Sequence, residues 1–297
     1  MSCATVVAHL RNAGCVFAED EARILLQAAQ EASRDLAARD MADRHDATSS
    51  HPILAEFLAR RVAGEPLEQI VGWVEFAGQR IAVAPGVFVP RQRTHLLAAQ
   101  SILGLKAARG SKAAQRGAQA ASCGMEEAGG TVRFLEAFCG VGAVATTVSR
   151  ADPGTQIHLG DHDETALDCA RMNVGPEAHP HLLNTLTGLP QTLAGGFDVI
   201  SAVPPYVPDS AAEFLPREAL DHEAPTALFG GADGLDLVRR LIGESRQWLA
   251  PSGVLLIELG SEQLHSAADF ATQLGFSTGS TLGDDEQTAV LELQLRD

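Results

Sequence analysis

No stretch of this chain approaches the ~18 consecutive apolar residues of a membrane span, so the sequence excludes an integral membrane protein of the helical kind. The N-terminus, Met1-Ser-Cys-Ala-Thr-Val-Val-Ala-His-Leu10, lacks a basic start and a long apolar run, so no secretory signal is expected. Cysteine occurs five times, at 3, 15, 123, 139 and 169, and never as Cys-x-x-Cys. That scatter argues against a disulfide framework or a zinc site and for free thiols in a reducing compartment, the cytoplasm. Positive charge is scarce in the second half. Residues 1–133 carry 15 Lys+Arg against 14 Asp+Glu, whereas residues 134–297 carry 7 against 24, a net of −17. An acidic half of this kind argues against binding to nucleic acid through phosphates and tolerates a basic protein partner. Tyrosine occurs once, at Tyr206.

What is present is a change of period. Residues 4–63 read as helices, with Ala22, Ile24, Leu25, Leu26, Ala28, Ala29 and Leu36 among strong helix formers and Glu19-Asp20-Glu21 in a first turn. Ser50-His51-Pro52 opens another helix, and Gly64-Glu65-Pro66 ends it. Trp73–Val83 then reads as a β-hairpin turning at Ala77-Gly78. Thr94–Leu103 reads as a helix. Residues 104–130 are Ala, Gly, Ser, Lys, Arg and Gln with little that is large and apolar, and read as a flexible insertion. From Val132 strands alternate with helices, ending in two strands near Phe276–Thr281 and Thr288–Leu295. Alternation of this kind predicts an α/β fold with a largely parallel, doubly wound sheet. The expected organisation is a small N-terminal helical domain (1–68), a hairpin connection with a linker helix (69–103), the insertion (104–130) and an α/β domain (131–297).

Two motifs carry chemistry. Glu136-Ala-Phe138-Cys139-Gly140-Val141-Gly142 closes one strand and opens a helix, where glycines let the backbone approach a ligand and helix N–H groups point at it. Asp161 follows at the end of the next strand, where a carboxylate can take both hydroxyls of a ribose. Together they predict a nucleoside-containing cofactor, and the glycine spacing leaves a dinucleotide open. The second motif is Phe197-Asp-Val-Ile-Ser-Ala-Val203-Pro204-Pro205-Tyr206-Val-Pro-Asp209, a buried strand stopped by prolines. It places Tyr206 in a stiff turn at the carboxyl end of a strand, where open α/β sheets bind ligands. His179-Pro-His181 has no third metal ligand near it in sequence, and Asp198 and Glu258 read as a structural and a strand-end carboxylate.

The second motif chooses the cofactor by resemblance. Val203-Pro204-Pro205-Tyr206 is similar to the Asn-Pro-Pro-Tyr of the protein glutamine N5-methyltransferases, the HemK-like release factor enzymes. Further matches are Ala63–Leu67, Gly72-x-x-Glu75-Phe76-x-Gly78, Pro85–Arg91 and His222–Leu235. The chain most resembles a divergent actinobacterial-type branch.

The resemblance implies a Rossmann-like, seven-stranded S-adenosylmethionine-dependent methyltransferase domain behind the helical domain. It also implies methyl transfer to the side-chain amide nitrogen of a glutamine in a protein, a peptide release factor or another translation protein. Glu136, Phe138, Cys139, Gly140, Val141, Gly142, Asp161 and Val203 would meet S-adenosyl-L-methionine, and Val203, Pro204, Pro205 and Tyr206 the glutamine. In the family the Asn oxygen and the backbone carbonyl after it accept the two amide N–H bonds.

This chain departs from that pattern. Val203 has no acceptor, Glu136 replaces an Asp, and Phe138 replaces the first glycine, narrowing the cofactor cleft. Thr187 or its neighbours stand where the family often has an acidic residue near the adenine, and Arg91-Gln-Arg93-Thr-His95 lacks the usual carboxylates. The departures predict a slow enzyme; the alternative is a pseudo-methyltransferase that binds cofactor or partner without transfer.

Overall fold

The computed structural model describes residues 1–40, 50–123, 131–214 and 225–296. One compact unit comprises Met1–Trp73, and the other begins at Val74. The first is helical: α1 (Cys3–Asn12), α2 (Ala18–Asp40), α3 (Ser50–Val62) and α4 (Leu67–Val71). Ser2 caps α1 by accepting the Thr5 N–H, and three acidic residues in the first turn of α2 oppose its dipole. The core is aliphatic, built on Val6, Leu10, Leu25, Leu54, Leu58 and Ile70. At its margin Arg61 donates to Glu21 over 2.6 Å, joining α3 to α2.

The boundary falls just inside the hairpin β1 (Trp73–Phe76) and β2 (Gln79–Ala82), and α5 (His95–Cys123) follows in the second unit. The insertion expected at 104–130 is corrected as far as 123, because the helix runs on through it. Ala, Lys, Arg and Gln are strong helix formers, and helix needs no large apolar residue when one narrow face is covered. Leu105 is fully buried. At Gly104 an added Cβ would stand 3.1 Å from Val199 and 3.2 Å from Val254, so glycine lets the helix lie close on the sheet. Two of the helix's basic residues are tethers: Arg109 bonds Asp152 at 2.7 Å and Lys112 bonds Asp198 at 2.8 Å. Residues 124–130 lie outside the described residues.

The sheet is seven-stranded: β3 (Val132–Ala137), β4 (Thr155–Asp161), β5 (His179–Leu182), β6 (Phe197–Ala202), β7 (Leu249–Gly260), β8 (Phe276–Leu282) and β9 (Thr288–Leu295). Its order is β5-β4-β3-β6-β7-β9-β8. The first five are parallel, and β9 pairs antiparallel with both β7 and β8. Between the strands lie α6 (Ala143–Ala151), α7 (Glu164–Val174), α8 (Pro225–Leu228), α9 (Asp236–Ser245) and α10 (Leu264–Gln273). Side chains alternate between two cores. Phe134, Val199, Val254 and Leu256 join the core that includes Leu97 and Leu105 of α5, and Leu135, Ile200, Leu255 and Ile257 join the core that includes Leu241 of α9. Among the described residues no helix is long and apolar enough to cross a membrane.

β5 had no sequence signal of its own. Its His-Pro-His is short and polar, and a proline is tolerated because the strand is at the sheet edge. His179 and His181 are therefore strand residues that gather with His158. The His158 Nδ1 lies 2.9 Å from the His181 Nε2, with the two rings stacked. No group able to hold a metal ion occurs among the described residues. Burial and the neighbouring histidines push the His158 pKa down to about 3.

Candidate functional site

Strand order reverses between β3 and β6, and both chemical motifs leave the sheet there, at its carboxyl edge. After β3, Phe138, Gly140 and Gly142 take positive φ (+55°, +50° and +72°), which folds the loop back onto the start of α6. Gly142 is required twice over: its φ is left-handed, and a Cβ there would lie 2.8 Å from the Ala170 Cβ of α7. At Gly140, by contrast, the nearest atom to an added Cβ is the Phe88 carbonyl at 3.9 Å, an ordinary contact, so there only the left-handed φ calls for glycine.

Phe138 occupies a left-handed position that costs a non-glycine residue of the order of 1–2 kcal/mol. Its side chain packs against the core that holds Leu135 and Ile257. The ring is partly buried there, on the opposite face of the sheet from Glu136.

Two carboxylates brace this loop. Glu136 is buried and accepts the N–H of Val144 (3.3 Å) and Ala145 (2.7 Å), which caps α6 from within. Burial nonetheless pushes its pKa up to about 8, with the charge of Asp161 adding to the rise. Asp161 ends β4 and accepts the N–H of Gly140 at 2.9 Å and of Asp163 at 3.1 Å. Two carboxylate oxygens offer about four lone-pair directions, so acceptor capacity remains for hydroxyls. Cys139 and Val141 are buried in the core behind the loop, and burial raises the Cys139 thiol well above its ordinary range.

The second motif is held from three sides. Val203 follows β6, and Pro204 and Pro205 are buried. The Gln263 side chain donates to the Tyr206 carbonyl at 2.9 Å. The chain at 225–235 runs alongside: Val207 N–H donates to Leu228, and Gly230 N–H to Val207. Gly234 has to be glycine, since a Cβ would sit 2.1 Å from the Tyr206 carbonyl. This is the physical content of the matched segment at 222–235, of which 222–224 lie outside the described residues. The Tyr206 hydroxyl meets Arg93 Nη2 at 2.9 Å, and burial raises the Tyr206 pKa.

Three residues that carried little weight in the sequence lie at this edge. Glu258, read as a strand-end carboxylate, is 1% exposed and accepts from the Thr94 hydroxyl at 3.2 Å. Arg93, in the run lacking the usual carboxylates, bridges Glu258 (3.7 Å) and Tyr206. Thr185, buried with φ +61° after β5, has a hydroxyl without a partner. Its neighbour Thr187 is instead bonded to Glu244 and Arg240. A lone strand-end carboxylate or threonine has no sequence signature, because its role depends on which loop folds over it. Asp198 lies at the opposite end of β6, bound by Lys112 and the Arg133 N–H (2.9 Å), in a structural role.

The Methyltransferase small domain family matches residues 125–232. The chain is 32% identical over 209 residues to the release factor glutamine methyltransferase of Streptomyces coelicolor, covering 70% of this chain and 67% of that one. It is 31% identical over 270 residues to the enzyme of the same name from Bradyrhizobium diazoefficiens, covering 90% and 84%. A Streptomyces pristinaespiralis protein, 4-amino-L-phenylalanine/4-methylamino-L-phenylalanine methyltransferase, is 32% identical over 217 residues, covering 72% and 68%. Among solved structures, the catalytic domain of hMettl16 bound to an RNA hairpin superposes with a TM-score of 0.53 at 13% identity, covering 82% of this chain and 83% of that one, which is a likeness of fold. With the motifs, the seven-stranded sheet and relatives of this identity and coverage in agreement, the chain belongs to the release factor glutamine methyltransferase family.

Proposed function

We propose that this protein transfers a methyl group from S-adenosylmethionine to the side-chain amide nitrogen of a glutamine in a release factor, in the cytoplasm. The observation that carries the reading is the Pro204-Pro205-Tyr206 turn, held by Gln263 and the 228–234 chain beside the glycine loop at the switch point of the sheet. In this reading the Phe138–Gly142 loop and Glu136 seat the cofactor, and Asp161 takes its ribose. Bound there, S-adenosylmethionine supplies a methyl group made electrophilic by its sulfonium. An amide nitrogen is a poor nucleophile, so the work of the chain is orientation: the rigid turn holds the amide in line, and Tyr206 packs against it. The non-transferring alternative gains no support from the relatives described, which are named as methyltransferases.

The test is incubation of the purified protein with methyl-labelled cofactor and a release factor, followed by peptide mass spectrometry. The expected result is one methyl on the loop glutamine and none on a Gln→Glu release factor. Unlabelled glutamine, with calorimetry showing that S-adenosylhomocysteine binds, would overturn the substrate assignment and leave the cofactor assignment standing. A second reading has a specific observation behind it. Val203 removes the amide-binding side chain, and one relative is named for an aromatic amine substrate, so a free arylamine is the nitrogen to try next.

A further inference from the structure

The position vacated by the family's Asn has a neighbour. In the register of β6 and β7, Ala202 pairs with Ile257, and Val203 and Glu258 are the residues that follow that last pair. They share a face. Val199 and Val203 pack with the α5-side core, as do Val254 and Leu256, and strand alternation puts Ser201 and Glu258 on that same side. Among the described residues, buried side-chain oxygens lacking any hydrogen-bond partner include Glu258 Oε2 and Ser201 Oγ. The two flank Val203. A buried acceptor left open costs about 1–3 kcal/mol, and native structures seldom keep such a group without a use.

The rest of Glu258 is fixed. Its Oε1 takes the Thr94 hydroxyl and faces Arg93, and Arg93 in turn holds the Tyr206 hydroxyl. Carboxylate and tyrosine are thus tied into one corner through a single guanidinium, with one oxygen uncommitted.

We propose that Glu258 Oε2 accepts the N–H of the nitrogen being methylated, replacing the acceptor that Val203 lacks. The inference rests on the methyl-transfer reading above, not on which nitrogen compound is the substrate. As the N–C bond forms and the S–C bond breaks, the electron pair stays on sulfur, nitrogen becomes cationic, and its proton passes to Glu258 Oε2. An Asn side chain can only orient the N–H groups; a carboxylate also removes the proton. Burial is the largest influence on Glu258 and raises its pKa, with Asp285 adding to the rise, while the Thr94 hydroxyl and Arg93 favour the ionised form. Tyr206 is the other titratable neighbour.

The test uses the full chain as wild type, Glu258→Gln, Val203→Asn and the double variant. A glutamine-loop peptide and 4-amino-L-phenylalanine serve as nitrogen substrates, and cofactor affinity and Tm control for folding. The expected result is a fall in transfer of about 100-fold in Glu258→Gln at unchanged cofactor affinity, the size of a lost general base. The acid limb of the wild-type pH–rate profile disappears with it. Peptide affinity for the cofactor-free protein should weaken with acid in the wild type and stay flat in Glu258→Gln. Val203→Asn should restore at least tenfold in the Glu258→Gln background.

Transfer in Glu258→Gln within threefold of wild type overturns the proposal. So does a large gain from Val203→Asn alone, which needs no glutamate variant to fold. Failure of the glutamine reading looks different: the wild type would methylate the arylamine and not the peptide, and the Glu258 comparison would then be read on the arylamine. Transfer to neither nitrogen overturns both.

Discussion

The two halves of the site are built differently. In the glycine loop the carboxylates are engaged by the protein itself: Glu136 caps α6, and Asp161 holds Gly140 and Asp163. In the Pro-Pro-Tyr corner, Ser201 and Glu258 keep buried oxygens without partners, and Val203 contributes none. A loop that satisfies its own polar groups is rigid before any ligand arrives. A corner with open acceptors keeps capacity for a further donor, because an unmet buried acceptor is a standing cost that a donor relieves. The first region reads as preformed for a nucleoside, the second as finished by a substrate N–H.

The comparison is broken most directly at Asp161. Asp161→Ala should lower cofactor affinity by about 10- to 100-fold, since hydrogen bonds to a charged group are lost and Gly140 is released; titration calorimetry reads this. If affinity is unchanged, the loop is not the nucleoside site.

Two pH experiments of opposite sign sharpen it. Glu136 titrates near 8 in the folded chain, above an ordinary glutamate, so its contribution to stability is present below about pH 4.5 and is lost as pH rises through 8. The slope should be at most about 1.4 kcal/mol per pH unit. Denaturant unfolding of Glu136→Gln should be flat where the wild type declines. His158, pushed down to about 3, acts the other way: stability is full above about pH 6.5 and is lost as pH falls toward 3, at a similar limiting slope. His158→Gln should remove that acid loss while leaving cofactor affinity unchanged, because the histidine cluster lies with β5 at the sheet edge.

The smallest expected effect is at Phe138. Phe138→Gly relieves a left-handed backbone but gives up packing, so the net change in stability should stay within about 2 kcal/mol. With its ring on the far core, cofactor affinity should shift less than threefold. A large gain in affinity would mean that the ring reaches the cleft after all.

The legible parts were those written locally. The strand–glycine–helix pattern at 132–151, the proline stop after β6 and the hairpin at 73–82 were all read from consecutive residues, and the structure has them. The misread parts were those in which composition stood in for context. Residues 104–123 looked too polar to fold, yet Gly104, Leu105, Arg109 and Lys112 are enough to dock a helix on a sheet. β5 was missed because a four-residue edge strand carries no period.

The sequence by itself determined the order of elements, the two motifs and the family, since backbone propensity, proline geometry and motif identity belong to neighbours along the chain. Only the tertiary structure decided the rest: that Phe138 turns to the far core, that Arg93 joins Glu258 to Tyr206, and that Glu258 stands beside Val203. The last of these depends on register between strands 55 residues apart in the chain. Register is set by which side chains fill a shared core, and no single stretch of sequence records it.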